Sequence, residues 1–172
     1  MNNNRDFPIV EVSRKAQAAI EGSHPWVFDA EVKKLVPEVF ENGSLVDVVS
    51  DKGRYLGTGI YSETSKIRVR ILSRNANDRF DEAFWRRRIK YAWDYRRAVM
   101  GEDISACRVI FGEADHFPGL TVDLFNDIAV TQTLSIGIEK LKPVIFPLIS
   151  EILADDGVKL RGIFERNDAA IR

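Results

Sequence analysis

The spacing of the apolar residues changes near residue 75, and this change limits the possible folds more than any other feature of the chain. Before that point apolar residues form short runs in which they tend to alternate with polar ones, whereas two later segments repeat at helical spacing. Alternation is typical of β-strands, and a repeat of about 3.6 residues is typical of amphipathic helices. The sequence therefore predicts an α+β protein whose first part is rich in strands.

The first part of the chain is predicted to hold one short helix among several strands. Ser13 is a suitable N-cap for a helix over residues 14–21. In the run 67–72 the apolar residues alternate with Arg68 and Arg70, so both arginines are expected on one face of that strand. The other strand-like runs are 7–12, 26–28, 44–49 and 55–61. These features predict a small β-rich domain that forms a partly closed barrel.

A polar stretch at 73–78 predicts a boundary, after which a second domain mixes helices with strands. A long helix is expected over 81–100. A second helix is expected to end near residue 154. Pro143 and Pro147 predict that its regular part begins late, because an interior proline loses a hydrogen bond and clashes with the preceding turn. Strands are predicted at 108–111, 120–125, 128–134 and 162–165.

The first long helix combines a wide apolar arc with a basic side. The main apolar positions are Phe84, Trp85, Ile89, Ala92 and Val99. Arg88 and Arg96 fall inside this arc, so they are expected either to extend to its rim or to pair with acids. Three cations, Arg86, Lys90 and Arg97, are expected on the opposite side.

Residues 66–97 contain eleven Lys or Arg and four Asp or Glu, a difference of +7, although the whole chain has a net charge of −1. A basic strand followed by a basic helix suits a phosphate backbone. Exposed aromatic residues could stack on unpaired bases. Interleaved with these cations are Trp85, Tyr91, Trp93 and Tyr95. The alternative is an ordinary solvated helix face with a packed aromatic side.

Residues 23–28 offer a second candidate site. His24 could act as a base or donate to a phosphate. The alternative is that Trp26 and Phe28 are core anchors, with Pro25 setting the entry to a strand.

A third candidate is the loop that joins two predicted strands near residue 115. Its polar and turn-forming residues are Glu113, Asp115, His116, Pro118 and Gly119. The two carboxylates could orient a substrate or act in acid–base chemistry. The alternative is a structured turn whose carboxylates pair with arginines. A metal site is poorly supported, because a catalytic metal site normally has three protein ligands.

No catalytic, cofactor-binding or metal-binding residue is predicted. The sequence lacks a Gly-x-Gly-x-x-Gly turn after a strand and lacks a P-loop. Its single cysteine, Cys107, begins an apolar strand and is expected to be a buried thiol, not a nucleophile. One cysteine, no signal peptide and no apolar run of about 18 residues predict a cytoplasmic protein without a membrane partner.

Six motifs occur along the chain in a distinctive order. They are 24–28 (HPWVF), 56–61 (LGTGIY), 65–72 (SKIRVRIL), the spaced Trp and Arg positions of 85–96, 112–123 (GEADHFPGLTVD) and 164–168 (FERND). Together they resemble the N-terminal region of bacterial class I SAM-dependent methyltransferases that modify C5 of cytosine in large-subunit ribosomal RNA. The chain departs from that family at His116 and Phe117, where small or aliphatic residues are usual, and at Asn167, where serine is common.

The resemblance implies a PUA-like pseudo-barrel over residues 1–73, which is an RNA-binding module, and a small central α/β domain over 78–172. The SAM-binding Rossmann-like domain that follows in the family is missing from this sequence. That domain carries the site for S-adenosyl-L-methionine and the catalytic cysteine, and Cys107 does not match that cysteine. The RNA-binding residues implied are Arg14, Lys15, His24, Trp26, Arg68, Arg70, Arg86, Lys90 and Arg97. The loop residues 113–119 would line the substrate channel.

The resemblance implies that this chain is the RNA-recognition half of a ribosomal-RNA methyltransferase. It implies ribosomal RNA as the partner, no DNA and a possible homodimer. One alternative is a stand-alone RNA-binding or ribosome-associated protein without chemistry. Another is a small enzyme or interaction module that works through the loop 113–116.

Overall fold

The computed structural model describes residues 5–101 and 104–167, so Asp168 of the last motif lies outside the described residues. Backbone contacts divide the chain after Asp78 into two compact units. The polar stretch belongs to the first unit. There the Ser73 hydroxyl donates a 2.6 Å hydrogen bond to the Asp78 carboxylate.

Six strands of the first unit form one curled sheet. The elements are β1 (Ile9–Val12), α1 (Arg14–Glu21), β2 (Trp26–Phe28), β3 (Val32–Val36), β4 (Leu45–Val49), β5 (Tyr55–Tyr61) and β6 (Ile67–Ser73). In space the strand order is β2, β6, β5, β4, β1, β3, and only β1 and β4 are parallel neighbours. This is the β-rich PUA-like pseudo-barrel that was predicted.

The core of the first unit consists mainly of aliphatic side chains from alternate strand positions. Val10, Val48 and Val69 are fully buried, and Ile20 of α1 packs into the same core. Burying one such side chain contributes about 1.5–3 kcal/mol. Helix α1 begins as predicted, with the Ser13 hydroxyl accepting a hydrogen bond from the amide of Ala16.

Strands β5 and β6 approach each other closely at Gly59. A Cβ atom at this position would collide with the backbone carbonyl of Arg70 and with the side chain of Val69. A pairing irregularity between Thr58 and Gly59 lies at the same place. Position 59 therefore needs glycine, because a side chain there has no room. The close approach at Gly59 also fixes the position of the Arg70 backbone.

The second unit has a four-stranded sheet covered on one face by two helices. Its elements are α2 (Glu82–Met100), β7 (Ala106–Phe111), β8 (Leu120–Phe125), β9 (Ile128–Thr133), α3 (Ile136–Asp155) and β10 (Gly162–Glu165). Strands β7, β8 and β9 form an antiparallel meander. Strand β10 returns through α3 to lie parallel to β9. The predicted small α/β domain is therefore present.

Two predictions about the helices are wrong. Helix α3 is regular from Ile136, although Pro143 and Pro147 lie inside it. Ile138 and Ile145 are fully buried near the first proline, and this burial outweighs a proline cost of about 3 kcal/mol. Val99 was expected on the apolar side of α2 but is 64% exposed. The buried stripe of α2 ends before its last turn.

An ion cluster around a buried lysine joins β10 to α3. Lys142 is only 9% exposed, and its ammonium group contacts the carboxylates of Glu139 and Glu165. The side-chain amide of Asn167 donates to Glu165, and its oxygen accepts from the backbone amide of Thr133 at 2.8 Å. These contacts connect the end of β10 to both α3 and β9.

Candidate nucleic-acid interface

Three aromatic side chains cluster on the outer side of β2, at one edge of the first sheet. The ring centroids of His24, Trp26 and Phe28 lie 5.7, 6.0 and 6.3 Å apart in the three pairs. Val27 points into the core and is fully buried, whereas Phe28 is 38% exposed. The interpretation that Trp26 and Phe28 are core anchors is therefore wrong, because strand alternation gives the core position to Val27. We call these three residues the β2 aromatic cluster.

Two arginines lie close to the β2 aromatic cluster in the sheet. Arg70 of β6 is the direct antiparallel partner of Trp26, so the two side chains share one face. Arg74, which was not among the predicted residues, donates hydrogen bonds to the hydroxyl of Ser23 and to the carbonyl of Ile20, at 3.0 and 3.2 Å. Its guanidinium therefore lies beside the turn that leads to the cluster. No sequence pattern singled it out, because it follows the end of a strand.

Arg68 has a more enclosed position than Arg70. Its guanidinium forms an ion pair with Asp29 and lies 5.9 Å from the centroid of the Tyr61 ring, and its side chain is 18% exposed. Burial lowers the pKa of Arg68, but hydrogen bonds and charge from Asp29 and Tyr61 outweigh it, so the pKa lies above its usual value. Arg68 therefore stays cationic at every physiological pH.

The two predicted cations of α1 are highly exposed. The side chains of Arg14 and Lys15 are 83% and 87% exposed, respectively. Arg14 lies 3.1 Å from a carboxylate oxygen of Asp51, and Lys15 lies 3.7 Å from one of Glu31. Such exposed pairs contribute little stability, so either cation can exchange its carboxylate for a phosphate at small cost.

The predicted cations of α2 all contact carboxylates. The pairs are Arg86 with Glu82 and Glu151, Lys90 with Asp94, and Arg97 with Asp156, at N–O distances between 2.5 and 3.2 Å. Hydrogen bonds to Glu151 and then to Glu82 raise the pKa of Arg86 above its usual value. Because Glu151 and Asp156 come from the end of the second unit, the charge counted over residues 66–97 overstates the positive charge at this helix.

The aromatic residues of α2 divide into two sets. Phe84, Trp85 and Trp93 are buried, and the indole N–H of Trp93 donates a 2.9 Å hydrogen bond to Asp156. Tyr91 and Tyr95 are 63% and 60% exposed and lie one turn apart. Only the two tyrosines are available for stacking on a base.

The residues proposed for a substrate channel share one tight turn between β7 and β8. Residues Gly112–Asp115 form a 3-10 turn, and His116 follows in the left-handed conformation with φ of 60°. Phe117 is fully buried against Trp85, with ring centroids 5.8 Å apart, and Pro118 is buried beside it. His116 is exposed. Of the two residues that depart from the family pattern, Phe117 is therefore a core residue and His116 is a surface residue.

Asp115 is a structural carboxylate in this turn. It accepts hydrogen bonds from both terminal nitrogens of Arg96, at 3.2 and 2.5 Å, and from the backbone amide of Phe111 at 2.6 Å. Both side chains are 12% exposed. The alternative that a loop carboxylate pairs with an arginine is thus correct for Asp115. Gly119, with φ of 82°, packs so that an added Cβ would lie 2.9 Å from the Cβ of Ser135.

Cys107 is buried, as predicted. Burial raises the pKa of its thiol above the ordinary value, an effect that Arg96 opposes and Asp123 reinforces. No group of three His, Cys, Asp or Glu side chains suited to a metal ion occurs within residues 5–101 and 104–167. In the same described part of the chain, no helix is long and apolar enough to cross a membrane.

Sequence reasoning missed a cavity on the outer face of the second sheet. It has a volume of about 560 Å³. Its lining residues include Arg108, Asp123, Phe125, Gln132 and Arg166. The alternation of β8 and β9 predicts that most of these side chains share one face of the sheet. The excess of positive charge over residues 66–97 indicated helix α2 instead.

Comparison with known proteins supports the assignment of the first unit. A sequence model described as a PUA-like domain matches residues 10–74. Ribosomal RNA large subunit methyltransferase I from Klebsiella pneumoniae is 30% identical over 96% of this chain and 40% of its own length. The protein of that name from Alteromonas mediterranea is 36% identical over 90% of this chain and 38% of its own. This chain is homologous to the N-terminal part of these methyltransferases.

The solved structures agree on the fold of this N-terminal part. A putative SAM-dependent methyltransferase from Streptococcus mutans matches with a TM-score of 0.77 and 16% identity, over 92% of this chain and 40% of its own. A putative methyltransferase complexed with SAH matches with a TM-score of 0.78 and 15% identity, over 95% of this chain and 41% of its own. The chain thus spans about two fifths of the length of the methyltransferases it matches.

Proposed function

We propose that this chain is the RNA-recognition half of a SAM-dependent methyltransferase that modifies C5 of a cytosine in ribosomal RNA. The observation that carries the proposal is the β2 aromatic cluster with Arg70 directly opposite Trp26. One exposed and two half-buried rings beside a guanidinium suit an unpaired nucleotide, because the base stacks on a ring and the phosphate binds the cation. The homologous methyltransferases and the PUA-like match support RNA as the ligand.

Within this proposal the predicted cations contribute unequally. Arg70 and Arg74 lie beside the aromatic cluster and would bind the phosphates nearest the stacked base. Arg14, Lys15 and the cations of α2 would set affinity and salt dependence without reading sequence. Ribosomal RNA as substrate implies action in the cytoplasm, with RNA rather than DNA as the partner. Self-association stays a prediction that sedimentation velocity can test.

The methyl group of this proposed reaction would come from S-adenosyl-L-methionine, which the described residues do not fit. Such a cofactor is held by a parallel sheet with a glycine-rich turn between a strand and a helix. The connection from β9 to α3 does run from a strand to a helix. However, it has no glycine-rich turn, because Ser135 caps the helix and the Thr133 amide already donates to Asn167. We therefore assign no cofactor contact to this chain. SAM binding by this chain would contradict that assignment.

The salt dependence of RNA binding tests the proposed function. Arg70→Ala with Arg74→Ala should flatten the slope of log K against log salt by about 1.4, since each phosphate contact to a single strand contributes about 0.7. Fluorescence anisotropy with a labelled oligoribonucleotide gives this slope. The matched control is Lys33→Ala with Lys34→Ala, which removes the same charge from exposed positions of β3, the opposite edge strand.

The control should leave the slope close to that of the unmodified chain. Equal slopes for both double variants would contradict the assignment of the RNA-binding face. Absence of RNA binding by the unmodified chain would contradict the proposed function itself. The alternative of a stand-alone RNA-binding protein predicts the same slopes. It differs in predicting no methyl transfer when the chain is joined to the C-terminal part of a homologous methyltransferase.

A further inference from the structure

The outer face of the second sheet carries a row of side chains that the helices do not cover. Arg108 of β7 pairs with Asp123 of β8, Asp123 with Val130 of β9, and Val130 with Phe164 of β10. Directly paired residues point to the same face of a sheet. Leu124 and Ala129, at neighbouring positions, are buried on the helix side. The face opposite the helices is thus lined by charged, aromatic and aliphatic groups.

Polar groups surround one exposed ring in the cavity on this face. Phe125 is 54% exposed. The other lining residues are Arg108, Thr121, Asp123, Val130, Thr131, Gln132, Arg166 and Asn167. A volume of about 560 Å³ falls within the usual range for small-ligand sites.

The charges in the cavity are fixed by neighbouring groups. The Arg108 guanidinium donates to both oxygens of Asp123, at 2.7 and 3.0 Å, and these hydrogen bonds raise the pKa of Arg108 above its usual value. The charge of Arg108 is balanced by Asp123. An incoming anion would therefore meet Arg166, the second arginine that lines the cavity. The backbone amide of Arg166 donates to the Thr131 carbonyl at 2.8 Å, which holds Arg166 beside β9.

We propose that this cavity binds an unpaired nucleotide of an RNA strand. Phe125 would stack on the base, Gln132 and Thr121 would hydrogen-bond to its edge, and Arg166 would bind a phosphate. A protein partner is disfavoured, because the core of a protein interface is depleted of charged residues and this cavity contains two arginines and an aspartate. The inference rests on the proposed function, since it assumes that the ligand of the chain is RNA.

Phe125→Ala in the full chain tests the cavity. We expect single-stranded RNA to bind between about fivefold and a hundredfold more weakly, the range for loss of one stacked base. The probes are a labelled unstructured oligocytidylate and a fully paired RNA duplex. Duplex affinity should not change, because paired bases are not available to stack on the ring. Arg166→Ala is the second variant and should weaken binding of the single strand with a flatter salt slope.

Phe111→Ala is the matched control. Phe111 is 53% exposed on the same sheet but does not line the cavity, and Arg108 beside it remains held by Asp123. This control should bind both probes like the unmodified chain. If the chain binds RNA and Phe125→Ala binds as tightly as Phe111→Ala, the cavity proposal is wrong and the proposed function stands.

Two other results would also overturn the proposal. Failure of the unmodified chain to bind either probe would remove the proposed function and this inference together. Unchanged RNA affinity combined with altered sedimentation of Phe125→Ala would show that the face contacts protein instead. Circular dichroism of each variant should match that of the unmodified chain, because the replaced side chains lie at the surface.

Discussion

The β2–β6 edge of the first unit and helix α2 of the second unit both combine cations with aromatic residues, but they use them differently. On α2 the two tryptophans are buried, and all three predicted cations contact carboxylates. At the β2–β6 edge the aromatic cluster lies outside the core and Arg70 shares its face, while Arg68 contacts the carboxylate of Asp29. The comparison shows that counting cations along a sequence measures neither exposure nor surface charge. We therefore rank the β2–β6 edge above α2 as the proposed RNA-binding surface, because its aromatic cluster and Arg70 share one face of a sheet.

The largest effect should come from breaking the well-buried ion pair between Arg96 of α2 and Asp115. Asp115→Asn leaves the mostly buried Arg96 without its carboxylate, which should lower the free energy of unfolding by about 3 kcal/mol. Asp94→Asn is the matched change at an exposed pair with Lys90 and should cost less than about 0.5 kcal/mol. Urea denaturation compares them. Equal losses would show that burial does not distinguish the Arg96–Asp115 pair from the Lys90–Asp94 pair.

A smaller loss of stability should follow from Gly59→Ala, which tests the geometry behind Arg70. The added Cβ would collide with the backbone of β6, and overpacking of this kind costs about 1–3 kcal/mol. Gly162→Ala in β10 is the control, because nothing lies within 4 Å of a Cβ there. Thermal unfolding followed by circular dichroism should show a lower midpoint for Gly59→Ala alone. A lower midpoint for both would point to strand propensity instead of crowding.

The third prediction compares the two aromatic surfaces directly. Trp26→Ala should weaken binding of a single-stranded RNA by about 1–3 kcal/mol, the value of one stacked base. Tyr95→Ala replaces a ring that is 60% exposed on α2 and should have a smaller effect. Fluorescence anisotropy on one RNA probe measures both. A larger effect for Tyr95→Ala would reverse the ranking of the two surfaces.

Much of the fold was predictable because local signals agreed with the tertiary structure. Asp81 caps α2 and Gly101 ends it, as expected from sequence. Asn126 lies in the short turn between β8 and β9 with a positive φ, which is the conformation that asparagine favours in such turns. The start of α3 was predicted too late because of its two prolines. Local propensity does not include the burial of the residues on either side of them.

The candidate site was less predictable, since it depends on which distant residues meet. Trp26 and Phe28 looked like core residues by type, and only the pairing of β2 with β6 shows that Val27 takes that position. Asp115 looked like a possible catalytic acid until the structure brought Arg96 to it from α2. The acids that contact Arg86 and Arg97 also come from remote parts of the chain. Sequence spacing contains none of this information.

The ion cluster at Lys142 has a consequence for the alignment of the last strand. Strand β10 is a short edge strand, and such strands can slip along their neighbour when hydrophobic alternation is weak. A slip by one residue would turn Phe164 toward the Lys142 ammonium and leave that buried charge without Glu165. The cluster thus acts as a register lock. In other strands the register is set by apolar patterning, whereas in β10 it is set by charge. The cluster also fixes the position of Arg166 beside the sheet.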